Sequence, residues 1–507
     1  MPGTMLFSGL IAPQLVTHRQ GPGDCEVRGL AYDSRQVTAG TAFFALRGAA
    51  ADGHDFIADA LSRGALAVVS ERVVPLPEGV AGWVVRDSRL ALALAASRFY
   101  AVPPAASPVI GITGTNGKTT VSYLVEAILK AAGHSPALFG TINYRFADRT
   151  LPASHTTPES LDLLRQIDDF CTAGADSLVL EVSSHALAQH RVDGLPFSVG
   201  VFTNLTPEHL DYHGDMANYF AGKRRLFSEL LPRGGGRPVF NLDDPYGAKL
   251  ADEFPDGIGC SSRTGVGAVH PRALTVDLDG IHGELETPKG VLRVDSPLLG
   301  PFNAQNILCA VAAGIALDLD PEPIARGLAA CPTVPGRLER IANSLGALVL
   351  VDYAHTGDAL EKVLAAVAAL APRRIITVFG CGGDRDRSKR PVMGEVAARA
   401  SNLAILTSDN PRTEDPLAIL AEIRPGVLRV TDRELTEVAA ANREDGFLTI
   451  PDRRAAIVFA VSLLAAGDLL LVAGKGHEDY QIIGRQKFHF DDREELTRAL
   501  RQREERR

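Results

Sequence analysis

The ten residues Gly111-Ile-Thr-Gly114-Thr115-Asn116-Gly117-Lys118-Thr119-Thr120 constrain this chain more than any other stretch. The apolar run at 109–112 reads as a buried strand, and an amphipathic segment at 121–132, stopped by Gly133, reads as a helix. The order strand, glycine loop, helix brings backbone N–H groups and a helix N-terminus to one point, which suits phosphate oxygens. In such a loop Lys118 reaches the β- and γ-phosphates of a nucleoside triphosphate, and Thr119 offers a hydroxyl to Mg²⁺. Five residues separate Gly111 from Gly117, one more than in the common P-loop, so the loop is a variant.

Strand-like runs alternate with helical patterns along the rest of the chain, which predicts an α/β fold with mostly parallel sheets. A length of 507 residues is too much for one core. Proline-rich punctuation at 103–108 and 331–336 divides it into an N-terminal α/β domain (1–105), a central domain around the glycine loop (106–335) and a Rossmann-like C-terminal domain (336–507). The second punctuation is the expected hinge for closure of the last domain over the central one. The net charge of −9 argues against nucleic acid as the main partner. The six cysteines are scattered without a Cys-x-x-Cys pair, which speaks against a disulfide framework and a structural zinc site. The N-terminus has no basic lead, and no run reaches eighteen clean apolar residues. A soluble, cytoplasmic monomer with no membrane span is expected. The charged tail from Asp491 reads as a solvated end helix.

Three polar elements follow the glycine loop. Leu178-Val-Leu-Glu181-Val-Ser183-Ser-His185 sets a carboxylate at the end of a buried strand, where a Mg²⁺ ligand or a water-positioning acid sits in phosphate-transfer enzymes. Asn204-Leu-Thr-Pro-Glu208-His209-Leu-Asp211-Tyr-His213-Gly214 crowds two histidines and two acids into one segment. Lys223, on a helical pattern, reads from the sequence alone as surface charge. In the last third, strand-like runs at 347–351, 375–379, 403–407 and 469–473 are each followed by polar or glycine-rich residues. Ligands of open α/β sheets bind at such carboxyl ends. The sequels are 352–355, 380–387, 409–412 and 474–478. An Arg fork such as Arg412 binds a carboxylate in two-pronged fashion, and Glu478 can take an ammonium group.

These elements, with Pro335-Gly-Arg337-Leu-Glu339, Tyr353-Ala-His355-Thr, Gly380-Cys-Gly-Gly-Asp384-Arg385-Asp-Arg387 and Asp409-Asn410-Pro411-Arg412, occur in the order of the Mur ligase family, which the chain resembles over nearly its whole length. The resemblance implies ATP-driven amide-bond formation through an acyl phosphate. Within the family it is nearest to the branch that extends a UDP-MurNAc-dipeptide by a diamino acid in peptidoglycan synthesis, which serves cell shape and division. Lys118, Glu181, His209 and Lys223 match its catalytic positions. Thr119, Glu181, His209 and Lys223 match its Mg²⁺ site, with Lys223 as a carbamate, which replaces the surface reading of that lysine. Gly114, Thr115, Asn116, Gly117, Thr120, Asn303, Arg337, Asp352 and His355 match ATP contacts. Ser34, His54, His155, Thr156, Thr157, Ser183, Gln189 and Arg191 match the UDP-sugar peptide site. Arg385, Asp409, Asn410, Pro411, Arg412, Gly474 and Glu478 match the site of the incoming amino acid. The Asp-Asn-Pro-Arg pattern implies meso-diaminopimelate, with lysine or ornithine as the alternatives. Folylpolyglutamate synthase shares the core and the chemistry but lacks the UDP-binding first domain, and a non-catalytic nucleotide-binding regulator needs neither Lys223 nor the amino-acid site. Gly357 stands where the family has proline, which predicts a looser ATP loop.

Overall fold

The computed structural model describes residues 4–21, 24–48, 51–103, 107–331 and 333–505. Pro104 and Pro332, at the two expected domain punctuations, lie outside the described residues. The chain forms two compact units: 1–272 with 285–292 and 306–328, and 273–284 with 293–305 and 329–507.

The first unit contains the two larger, mostly parallel sheets that concern the site and a short pair of Met5–Leu6 with Glu26–Val27. Six parallel strands of the larger lie in the spatial order Pro136–Phe139, Ser177–Glu181, Val109–Thr113, Val199–Phe202, Arg237–Asn241, Ile258–Cys260. Asn143–Phe146 and Arg149–Pro152 extend one edge in antiparallel fashion. The first of these strands in chain order, Val109–Thr113, therefore lies in the middle, with its successors on both sides. That reversal of strand order is where open α/β sheets bind ligands, beyond the carboxyl ends. All five residues of Val109–Thr113 are buried, as a strand covered on both faces requires. Gly111 allows the close packing, since a Cβ there would lie 2.6 Å from the Phe197 ring. The helix Lys118–Ala131 buries Val121, Leu124, Val125, Ile128 and Leu129. The smaller, N-terminal sheet has the order Val16–Gln20, Ala81–Val85, Ala65–Ser70, Thr41–Phe44, Gly29–Ala31, antiparallel only at its first pair.

The second unit is a doubly wound layer structure. Leu348–Asp352, Asp468–Ala473, Arg374–Phe379, Leu403–Leu406 and Gly446–Thr449 run parallel in that order, with Glu339–Arg340 antiparallel at the edge. Side chains alternate across the sheet. Leu350, Phe379 and Leu406 pack with the helices Gly357–Ala368, Lys389–Ala400 and Pro416–Leu428 on one face. Val351, Val378 and Ile405 pack with Arg453–Leu463 and Asp492–Glu505 on the other. The four anticipated strands are all present, each within a residue of its predicted limits. The tail helix departs from expectation. It is not solvated all round: Leu496 and Leu500 join the core, and Asp492 is buried in an ion pair with buried Arg453. The acidic residues at the start of the tail, which suggested solvent, are partly interior ion-pair partners.

Candidate active site

The glycine loop runs from the strand end at Thr113 to the helix start at Lys118. Gly117 takes φ +89° and Gly114 φ +147°, conformations that only glycine enters at little cost. Added Cβ atoms would lie 1.9 Å from Thr203 Oγ1 and 2.3 Å from Asn306 Oδ1, respectively at Gly114 and Gly117. The loop is tied to the next strand's exit. Thr115 N donates to Asn204 O at 2.8 Å, Asn116 N to Asn204 Oδ1 at 2.9 Å, and Thr203 Oγ1 to Asn116 O at 2.6 Å. Thr120 is buried in the first turn of the helix.

Two lysine side chains converge on one carbonyl. Lys118 Nζ donates to Gly114 O at 2.9 Å, and Lys223 Nζ donates to the same oxygen at 2.8 Å. Lys223 is 1 % exposed, so its sequence reading as surface charge is overturned. The helix Met216–Arg225 directs it inward, and its Nζ lies 4.7 Å from the centre of the buried Tyr219 ring. Burial, and then the neighbouring Lys118, hold its amine well below the ordinary lysine range. Alongside, buried Glu181 accepts from Thr119 Oγ1 at 3.0 Å, Thr141 N at 2.9 Å and Thr141 Oγ1 at 2.8 Å. Thr119 and Glu181 thus share a hydrogen bond at the carboxyl end of the sheet.

The predicted sugar-peptide residues of the central region form one connected group. Thr156 Oγ1 lies 3.1 Å from Thr141 Oγ1. Thr157 Oγ1 donates to Glu181 O at 2.7 Å and accepts from Ser183 N. Ser183 caps the helix Ser184–Ala188. Arg191 donates to Thr157 O at 2.9 Å and to Gln189 Oε1 at 2.8 Å. The His155 side chain is exposed, while its backbone carbonyl accepts from Tyr144 OH at 2.5 Å. His209 is exposed, at φ +56°, with its ring edge-on to His185 at 4.7 Å between centroids. In the N-terminal sheet's loops, Ser34 and His54 are buried. The His54 ring has both nitrogens engaged: Glu71 N donates to Nε2 at 3.0 Å, and Nδ1 lies 2.6 Å from Asp52 Oδ1.

In the second unit the four predicted strand ends meet. Asp352 Oδ2 accepts from Leu338 N at 2.7 Å, and Oδ1 from Ala354 N at 2.8 Å. Burial pushes its carboxyl up. The Arg337 guanidinium stacks 4.8 Å from the Tyr353 ring centre, with the His355 ring 4.6 Å from the same ring. Asn303 is fully buried and donates to Leu299 O at 2.8 Å. At the neighbouring strand ends, Asn410 Nδ2 donates to Glu478 Oε2 at 2.9 Å. Burial, then the nearby Asp409 charge, push the Glu478 carboxyl up. Arg412 stands at φ +52°, with Nη1 donating to Gly383 O at 2.7 Å. The hairpin of Tyr480–Ile483 and Gln486–His489 holds this segment. Arg412 N donates to Ile482 O at 3.0 Å, and Gly484 N donates to Arg412 O at 2.7 Å. Arg385 is exposed, Pro411 is buried, and Gly474 takes φ +115°.

Residues 26–104 match the Mur ligase family catalytic domain, 112–314 the Mur ligase middle domain, and 336–476 the Mur ligase glutamate ligase domain. A UDP-N-acetylmuramoyl-L-alanyl-D-glutamate--2,6-diaminopimelate ligase of Geobacter metallireducens is 55 % identical over 483 residues, 94 % of each chain. The chain belongs to the Mur ligase family. A protein of the same name from Geobacter sulfurreducens is 53 % identical over 94 % of this Mur ligase and 95 % of its own length. A solved structure of a ligase of that name superposes with a TM-score of 0.68 at 33 % identity, over 94 % of this chain and 96 % of the other.

Among the described residues no group of three His, Cys, Asp or Glu side chains is placed to hold a metal ion. The donors near the glycine loop of this Mur ligase nonetheless suit a hard divalent cation. Glu181 supplies a buried carboxylate and Thr119 a hydroxyl. Lys223 has the low-pKa buried amine from which a carbamate, an oxygen donor, forms. Sequence reasoning passes over Thr141, which supplies two of the Glu181 hydrogen bonds, and Lys475, which is wholly buried beside Asp409 and Asn410. The first carries no pattern. The second has a signal, a lysine between two glycines at a strand end.

Proposed function

We propose that this Mur ligase adds meso-diaminopimelate to UDP-MurNAc-L-Ala-D-Glu at the expense of ATP, in cytoplasmic peptidoglycan precursor synthesis. We divide it as 1–105 for the UDP end, 106–335 for ATP and 336–507 for the incoming amino acid. The burial of Lys223 against the glycine loop carries the reading. A nucleotide switch has no use for a second, low-pKa lysine on the carbonyl that Lys118 also holds, whereas a ligase that activates a carboxylate has. The similarity at 26–104 removes the ground for folylpolyglutamate synthase, which lacks that domain.

The dipeptide's terminal carboxylate attacks the γ-phosphorus of ATP, ADP leaves, and an acyl phosphate forms. The diamino acid's amine then attacks the acyl carbon, and phosphate leaves. Lys118 moves from Gly114 O to the β- and γ-phosphate oxygens, and the loop N–H groups join it in neutralising charge as it develops. Asn303, Arg337, Asp352 and His355 hold the nucleotide's far end. Thr119, Glu181, His209 and Lys223 as a carbamate would hold Mg²⁺, which would supply Lewis-acid chemistry at the phosphoryl oxygens. Thr156, Thr157, Ser183, Gln189 and Arg191, with Ser34 and His54, orient the UDP-sugar peptide. Arg412 takes the distal carboxylate of diaminopimelate, and Glu478 with Asn410 its ammonium group. No Ser or Cys nucleophile is required.

The test is ATP-dependent phosphate release with UDP-MurNAc-L-Ala-D-Glu, offered meso-diaminopimelate, L-lysine or L-ornithine separately. Turnover with diaminopimelate well above the other two is the expected result. Preference for lysine or ornithine keeps the ligase and overturns the role of Arg412, and no turnover with any of the three overturns the ligase reading.

A further inference from the structure

Lys475 stands at the centre of a buried charge cluster in the second unit. It is wholly buried, as are few lysines unless paired. Its Nζ donates to Asp409 Oδ1 and to Asn410 Oδ1, each at 3.3 Å, and lies 3.8 Å from Glu478 Oε2. Gly474 and Gly476 flank it at φ +115° and +54°, and a Cβ on Gly476 would lie 2.6 Å from Tyr353 Cβ. The lysine therefore reaches Glu478 and Asn410, the two side chains proposed for the ammonium end of the diamino acid, and Asp409 beside them, although it is not itself among the residues that the sequence pattern points to.

We propose that Lys475 is a positioning residue of the amino-acid site, which holds Asp409 and Glu478 side by side as carboxylates so that Glu478 can receive the substrate's ammonium group. The inference rests on the ligase reading. The two acids share a poorly hydrated space, and like charges there resist joint ionisation. The groups that face Glu478 are Asp409 and Lys475, Asn410 and Arg412 on the neighbouring strand end, the Tyr353 and Tyr480 hydroxyls, and Arg453 beneath. Arg453 is committed to Asp492, and Nη1 of Arg412 to Gly383 O. Lys475 is the cation that bonds to Asp409 directly and still reaches Glu478. Without it, Glu478 takes up a proton at higher pH and loses its attraction for an ammonium ion.

Lys475→Met keeps the length of the side chain and removes the charge. In steady-state assays with meso-diaminopimelate the expected result is a KM for the diamino acid raised at least about tenfold at pH 7, with the KM for ATP within twofold of wild type. That raised KM falls as pH is increased from 6 to 8.5, because Glu478 regains its charge. The double variant Lys475→Met/Asp409→Asn removes the competing carboxylate together with the lysine, and its KM is expected to lose most of that pH dependence. A KM for the diamino acid that stays at the wild-type value overturns the proposal, and so does a parallel rise in both KM values, which marks a merely structural lysine. If Lys475→Met does not fold, the double variant is compared with Asp409→Asn alone, where a shared, pH-independent KM is expected and a pH-dependent rise on adding Lys475→Met is the contrary result. Wild-type enzyme inert toward meso-diaminopimelate, L-lysine and L-ornithine alike in the parallel assay overturns the ligase reading itself, and this inference with it.

Discussion

Lys223 shows how a single side chain can be misread. Nothing in its neighbours Gly222, Arg224 and Arg225 distinguishes it from surface charge. Its burial comes from Tyr219, one helical turn away, and from the Gly114 carbonyl, over a hundred residues away in sequence. Chemistry and stability pull in opposite directions here. An amine with a depressed pKa leaves the unfolded chain binding more protons than the folded one, so its cost to stability is largest below the folded pKa and fades as pH rises toward the free-lysine value near 10.5. Lys223→Met is therefore expected to abolish turnover and yet to raise stability at pH 7, by about 1 kcal/mol or more. Urea unfolding in bicarbonate-free buffer reads the gap, which should close toward pH 10; a less stable variant at pH 7 would contradict the assignment.

Elements are largely legible where a short periodic pattern meets a strong stop. The five residues of the strand before the glycine loop and the parallel strands of the second unit accord with buried apolar runs. Gly446–Thr449 escapes such a reading, since four residues opened by a glycine carry almost no pattern. The hairpin Tyr480–His489 is largely exposed, with half-polar strands, and carries no signal either. The departure at Gly357 has a local cause. Gly357 opens the helix Gly357–Ala368, behind Thr356 at φ −125° and ψ 159°. Both features suit a proline at 357. A Cβ there would, however, lie 2.6 Å from Val392 Cγ1. Gly357→Pro alone is expected to lower the melting temperature, whereas Gly357→Pro in a Val392→Ala background should gain about 0.5 kcal/mol over Val392→Ala, by reducing the freedom of the unfolded chain. Calorimetry on the three variants decides it, and a stabilised single variant would show that Val392 yields freely.

At the scale of the molecule, fold class and the succession of sheets are legible from sequence, while the pairing of buried charges emerges only in three dimensions. Two histidines illustrate the effect of that pairing on stability. His190 is half-buried, which lowers its pKa, but Asp193 and Asp87 outweigh that and raise it to about 9. Its contribution is complete below about 6.5 and is lost as pH rises through 9. His477 is lowered to about 3 by burial, with Arg337 and Arg493 adding to it. Its neutral ring contributes above about 6.5, and that contribution is lost as pH falls toward 3. Relative to wild type, His190→Gln should therefore be most destabilised near pH 6 and lose that deficit by pH 9.5. His477→Gln should lose its deficit on the acid side, toward pH 4. Unfolding free energies of both variants across pH 4–9.5 check the two signs, and a His190→Gln deficit that grows toward alkaline pH would reverse the first.

The hairpin that grips Arg412 on both sides of its peptide has an evolutionary corollary. Arg412 bonds through its own N–H and carbonyl to Ile482 and Gly484, and Asn410 Oδ1 accepts from Ile482 N at 2.9 Å. On the role proposed for Arg412, the residue that reads the amino acid is inherited together with the ribbon that holds it. A lineage that exchanges one diamino acid for another has to alter both segments in concert, and a graft that moves only the Asp409–Arg412 tetrapeptide into a foreign ligase carries the reader without its mount.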